Sequence, residues 1–202
     1  MTEQSTAPGW HDVNDTLVAL ATGDLRRDGE VQPCMAAFAG DELLFFAFLR
    51  SFAKGAYADP IIELLALAAP LAADRVAISM GARAWSLDDP IPPVLPDAGD
   101  LRQRVLVITA VDAATGDGRS TGTVIPFSCD GGAVRWSPPA VDGEHHEGWI
   151  CGALEVLISE RHRMTAGVSE IRRQAERCER LGHELHLGAA AADRLGLPAP
   201  YR

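Results

Sequence analysis

Two histidine-bearing segments hold the residues best suited to metal chemistry. Glu144-His145-His146-Glu147 follows Gly143, and His183-Glu184-Leu185-His186 lies near the C-terminus with Cys178 upstream. Imidazole nitrogens, thiolates and carboxylates are the donors that bind zinc or iron, and two histidines three residues apart share one side of a helix. His145, His146, Glu147, His183 and His186 are therefore the candidate ligands of a metal-dependent hydrolase. Against that chemistry, adjacent loop histidines diverge in direction, Cys178 falls on an apolar stripe, and nothing in the spacing brings the two segments together. No metal is favoured, and no cofactor is expected.

A second chemically unusual stretch runs from Arg83 through Trp85, Asp88 and Asp89 to Arg102 and Arg104. Four prolines between Asp88 and Asp100 stiffen it, so arginines, a tryptophan and carboxylates are presented on a pre-ordered loop of the kind that binds a small molecule or a partner chain. The simpler role for the same residues is to pin the loop, with arginines paired to its aspartates and Trp85 filling a sheet edge. Nucleophile and phosphate motifs are absent: there is no G-x-S-x-G, no Walker sequence, and Lys54 is the only lysine. Gly116-Asp117-Gly118-Arg119-Ser120-Thr121-Gly122 is rich in glycine but joins two strands instead of opening a helix. The four cysteines, Cys34, Cys129, Cys151 and Cys178, form no C-x-x-C pair and read as buried free thiols.

The elements that must position these residues can be read from periodicity. Trp10 to Thr22 places Val13, Leu17, Val18, Leu20 and Ala21 along a helix, with Gly23 as its stop. Glu30 to Ala39 and Leu43 to Leu49 read as a hairpin, its first strand entered irregularly or held at an edge because of Pro33, its second apolar enough to be buried. Asp59 as N-cap and Pro60 at the first helical position start a strong helix. Arg75 to Leu87 alternates as a strand, and 101–113, 119–129 and 133–137 follow as an antiparallel meander. Trp149 to Ile158 is a buried helix. Val168, Ile171, Ala175, Cys178, Leu181 and Leu185 predict one amphipathic C-terminal helix that Gly182 kinks or ends.

These elements predict an α+β fold, a mostly antiparallel sheet in the order α-β-β-α-β-β-β-α with the amphipathic helix after it. The order resembles that of roadblock-type and JAB/MPN domains, a likeness of topology alone. A JAB-type protease needs an H-x-H pair and a downstream S-x-x-D; Ser86-Leu87-Asp88-Asp89 supplies the latter, but Ala77 to Gly81 has no imidazole, so a JAB-like version here would lack zinc. The expected organisation is a flexible N-terminus over 1–9, a single α+β domain over 10–158, and a helical appendage and tail over 159–202.

Composition narrows the function. With 47% hydrophobic and 23% charged residues, the 202-residue chain is not wholly disordered, and its most apolar stretch, 56–71, is broken by Glu63 and too short to cross a bilayer. A net charge of −10 and a pI near 5.0 oppose binding to nucleic acid or an anionic membrane. Residues 159–202 carry eight arginines against six acids, a net of +2 that leaves −12 on the first 158. Without a basic, apolar leader at its start, and with unpaired cysteines, the chain is expected in the cytoplasm. Absent motifs and a spare apolar stripe favour a non-catalytic interaction or regulatory domain, leaning away from an enzyme. It is expected to act as a homodimer through the C-terminal helix or a sheet edge, with a protein partner as a further possibility.

Overall fold

The strands of this sequence carry side chains for two cores, and the architecture follows from that. In the computed structural model, which describes residues 9–84, 102–115, 118–145 and 147–197, helix α1 (Val13–Asp28) precedes a hairpin of β1 (Cys34–Ala39) and β2 (Glu42–Phe48). Helix α2 (Ala58–Ala68) leads to β3 (Arg75–Arg83), β4 (Arg104–Asp112), β5 (Ser120–Asp130), β6 (Ala133–Trp136) and β7 (Val141–His145). Helices α3 (Trp149–Glu160) and α4 (Val168–Leu181), strand β8 (Glu184–Leu187) and helix α5 (Ala189–Leu195) complete the described chain. The strands form one antiparallel sheet in the order β6-β5-β4-β3-β1-β2-β8, with β7 also paired to β5. The fold is α+β, with five strands between α2 and α3, β7 being added to the four segments 75–87, 101–113, 119–129 and 133–137 read from the sequence.

Successive strand residues face opposite sides of a sheet, and here both sides are apolar. On β1, Cys34, Ala36 and Phe38 pack with Val13, Leu17, Ala21 and Leu25 of α1. Met35 and Ala37 pack on the other face with the helical layer of α2, α3, α4 and α5. The run Leu43-Leu44-Phe45-Phe46-Ala47-Phe48-Leu49 divides in the same way, Phe45 and Ala47 going to the large core and Phe46 and Phe48 to the α1 side. A nearly continuous apolar run is thus what a strand covered on both faces requires.

Several local expectations shift. Helix α1 passes through Gly23 and ends at Gly29, whose left-handed φ of 74° and N–H to the Leu25 carbonyl close the helix; Leu25 extends the buried stripe one turn beyond the expected stop. Asp59 is not the N-cap of α2 but lies in its first turn, because the helix starts at Ala58. Pro33 stands just ahead of β1, which pairs with β2 and β3 and so is interior rather than an edge; the irregular entry is the reading that fits, with the Pro33 carbonyl accepting the Leu49 N–H. On the outer side of β5, β6 pairs with Phe127–Asp130 and β7 with Thr121–Val124. The Ser137-Pro138-Pro139-Ala140 corner between them is tied back by Ser137 N–H to Pro126 O and Ala140 N–H to Val124 O.

The C-terminal segment differs most. The single amphipathic helix ends at Gly182, in the left-handed region with φ 101°, and the chain turns back as β8 beside β2, pairing Phe48 with Glu184 through Phe45 with Leu187. Residues expected in an appendage therefore add a strand to the sheet, while Ile171, Ala175 and Cys178 of α4 and Ala191, Ala192 and Leu195 of α5 enter the large core.

Candidate functional site

The candidate metal ligands do not converge. His145, on β7, holds its Nδ1 2.9 Å from the Ser120 carbonyl oxygen and 3.8 Å from Glu155 Oε1. His183 is buried beside Glu63 of α2, and His186 stacks on Phe46 of β2 at a ring separation of 6.4 Å. Glu147 is exposed, and His146 lies outside the described residues. No group of three His, Cys, Asp or Glu able to hold a metal occurs among the described residues. The physical reason is the break at Gly182: it turns the presumed helix face of His183 and His186 into a strand-end residue and a sheet-face residue on separate surroundings.

The 83–104 stretch is only partly described, with Trp85, Asp88 and Asp89 outside the described residues. Arg83 donates from Nη1 to the Arg102 carbonyl at 2.9 Å. Arg104 donates to the Gly29 carbonyl and approaches Glu30, while its guanidinium lies 4.9 Å from the Phe127 ring centre. Arg83 thus binds the stem of the β3–β4 pair, and Arg104 ties that stem to the end of α1. The aspartates of the loop, Asp88, Asp89 and Asp100, lie outside the described residues.

Two polar clusters formed by tertiary contact have no local sequence signal. In the first, Glu155 of α3 accepts the backbone N–H of Ser120 at 2.9 Å and its hydroxyl at 2.8 Å. Those two donors hold the Glu155 carboxyl below its usual range. Ser120 is fully buried and its hydroxyl is directed to a carboxylate instead of an imidazole, so the trio of Ser120, Glu155 and His145 lacks the serine–base contact that makes a nucleophile. It fastens α3 to the start of β5.

In the second cluster, Arg50 grips Glu63 with two hydrogen bonds of 2.8 and 3.0 Å, and that grip pulls the Glu63 carboxyl below its usual range. His183 Nε2 lies 2.8 Å from the same carboxylate, and its Nδ1 accepts the Arg50 backbone N–H at 3.2 Å. Cys178 is fully buried next to the Glu63 carbonyl, and burial pushes its thiol up to about 11. A thiol so raised holds almost no thiolate at neutral pH. A cysteine, a histidine and a glutamate come together here, but as a closed and inaccessible structural knot.

The accessible feature lies on the helical layer. Helices α2, α3 and α4 bound a groove of about 520 Å³, floored by Leu65 and Leu157 and bordered by Ile62, Val156, Met164 and Ile171. The exposed large hydrophobic residues among those described are Ile62, Trp149, Val156, Met164, Val168 and Leu181, and all belong to this layer or its α3–α4 connection. Val156 and Ile62 are 56% and 51% exposed, far above what a core position allows. A signal for this existed in the sequence: α2 and α3 carry more apolar residues than one buried face accommodates, and helices apolar all round are covered on more than one side. Glu170 also lines the groove and pairs with Arg173. No protein-family model, no curated protein and no solved structure matches this chain.

Proposed function

We propose that the chain is a non-catalytic interaction domain that pairs with a second copy of itself through the α2–α3–α4 face. The observation that carries this reading is the gathering of exposed large apolar side chains around one groove, the kind of patch that marks a protein contact. The partner is a second copy because of charge. The chain as a whole is strongly acidic, at −10, so most contacts between copies set like charges together, whereas the groove lining carries a single charged residue, Glu170. Glu170 at the groove and its partner Arg173 offer both signs there, as a two-fold contact needs when one patch must complement itself. Of the apolar stripe of α4, Ile171, Ala175 and Cys178 are buried within the same chain, while Val168 and Leu181 are exposed.

Sedimentation or light-scattering mass across the micromolar range tests the proposal. A concentration-dependent dimer is expected, and the double substitution Ile62→Asp with Val156→Asp should return it to monomer without lowering the melting temperature of the monomer, because both side chains are exposed. A strictly monomeric wild type, or a dimer indifferent to both substitutions, overturns it.

A further inference from the structure

We infer that Met164 is an oxidation site through which hydrogen peroxide turns off the α2–α3–α4 face, an inference that rests on the pairing proposed above. The chain has four methionines. Met35 is wholly buried, Met80 is half-buried on β3 against the large core, and Met1 lies outside the described residues. Met164, in the α3–α4 connection, is 40% exposed and lines the groove. A thioether is oxidised where the reagent reaches its sulfur, which ranks Met164 ahead of Met35 and Met80. Among the thiols, Cys34, Cys151 and Cys178 are buried and Cys129 is half-buried, so Cys129 is the competing site.

The step is an oxygen transfer. The sulfur lone pair attacks one peroxide oxygen, the O–O bond breaks as the S–O bond forms, and the second oxygen leaves as water after taking up the proton. Sulfur is oxidised to the sulfoxide and the peroxide is reduced. A thioether adapts to an apolar surface such as that of Leu65, Val156 and Leu157. A sulfoxide oxygen is instead a hydrogen-bond acceptor that loses its water when a second copy covers the groove. The neutral side-chain donors of the lining are Gln174 and Thr165. Gln174 directs its amide nitrogen to the Glu63 carbonyl and the Cys178 sulfur, which leaves Thr165 to answer the new acceptor. A two-fold contact holds two copies of Met164, so the cost is met twice. Even with Thr165 answering in part, the dissociation constant should rise about tenfold or more.

Sedimentation of the full chain before and after hydrogen peroxide, with peptide masses locating the added oxygen, tests this. Met164 should gain oxygen ahead of Met35 and Met80, and more slowly at concentrations where copies pair, because pairing covers the sulfur. Once oxidised, the chain should pair more weakly by the stated factor. Met164→Leu keeps an apolar side chain of similar volume and leaves Cys129 in place; it should pair as wild type does and go on pairing after peroxide. Cys129→Ser should stay as sensitive as wild type, and it decides the matter by itself if Met164→Leu does not fold or pair. Oxygen entering Met35 or Met80 first, or pairing unchanged with Met164 oxidised, overturns the switch and leaves the pairing standing. A loss that persists in Met164→Leu, or one that vanishes in Cys129→Ser, does the same. A chain that is monomeric before any oxidant overturns the pairing and the switch together.

Discussion

A Cβ atom at Gly188 would lie 1.8 Å from the Leu43 carbonyl oxygen and 2.7 Å from its carbon. The obstacle is backbone, held in place by the Gly188 N–H to Leu44 O bond of 2.8 Å, so no rotamer relieves it. Gly188→Ala must push α5 off β2, and the expected cost is about 3 kcal/mol, which lowers the melting temperature by roughly 6–12 °C for a chain of this size. Gly23 provides the opposite case. It lies inside α1 with open space around it, so Gly23→Ala should stabilise by about 0.5–1 kcal/mol through helix propensity alone. Thermal melts of the two variants check both signs, and a neutral Gly188→Ala would refute the close approach. Neither outcome could be argued from sequence, where both residues are equally small and equally helix-breaking.

Among the elements, the Ser120–Glu155 contact joins α3 to the strand it covers and gives the fold part of its acid sensitivity. A carboxyl lowered in the folded state contributes stability above its ordinary value, and that contribution disappears as pH falls through the lower folded value. Glu155→Gln keeps an acceptor for Ser120 but loses the charge. The variant should be less stable than wild type at neutral pH, with the difference closing as the solution is acidified below about pH 4. Urea unfolding at several pH values measures this, and a difference that stays constant with pH would count against it. Element by element, legibility tracked how local the deciding interaction was. The Leu43–Leu49 strand was readable because it carries its own burial pattern, whereas the apolar helix of 149–158, expected to be buried, buries only Cys151, Leu154, Leu157 and Ile158 and leaves Trp149 and Val156 exposed. Strand β8 was hidden because Leu185 continues the three- and four-residue spacing of α4 by coincidence, although the alternation Glu184-Leu185-His186-Leu187 after Gly182 carries the strand signal. The Arg50–Glu63–His183 knot left no trace because its members are 13 and 120 residues apart. The histidines stood out for the same reason that they misled: residue type is visible in a sequence, while convergence is not.

At the scale of the molecule, the large core draws on both ends of the chain, with Met35 and Ala37 from β1 packed in the same cluster as Ala191, Ala192 and Leu195. A chain cut after residue 158 would lose the covering of β2 by α5 and of α2 by α4 and expose the apolar surfaces beneath them. Such a truncation should fail to give a cooperative melt or dispersed amide resonances; a cooperatively folded fragment would instead establish 159–202 as a separable appendage. The rims of the sheet set a different limit. One rim is the four-residue β8, bearing Glu184 and His186, and the other is broken into β6 and β7 by Pro138 and Pro139, which have no N–H to offer. Neither rim presents the long, straight ladder on which chain after chain can be templated. Were copies to pair by their helical faces as proposed, neither described rim would offer a ladder from which a filament could grow, and assembly would close at a finite particle.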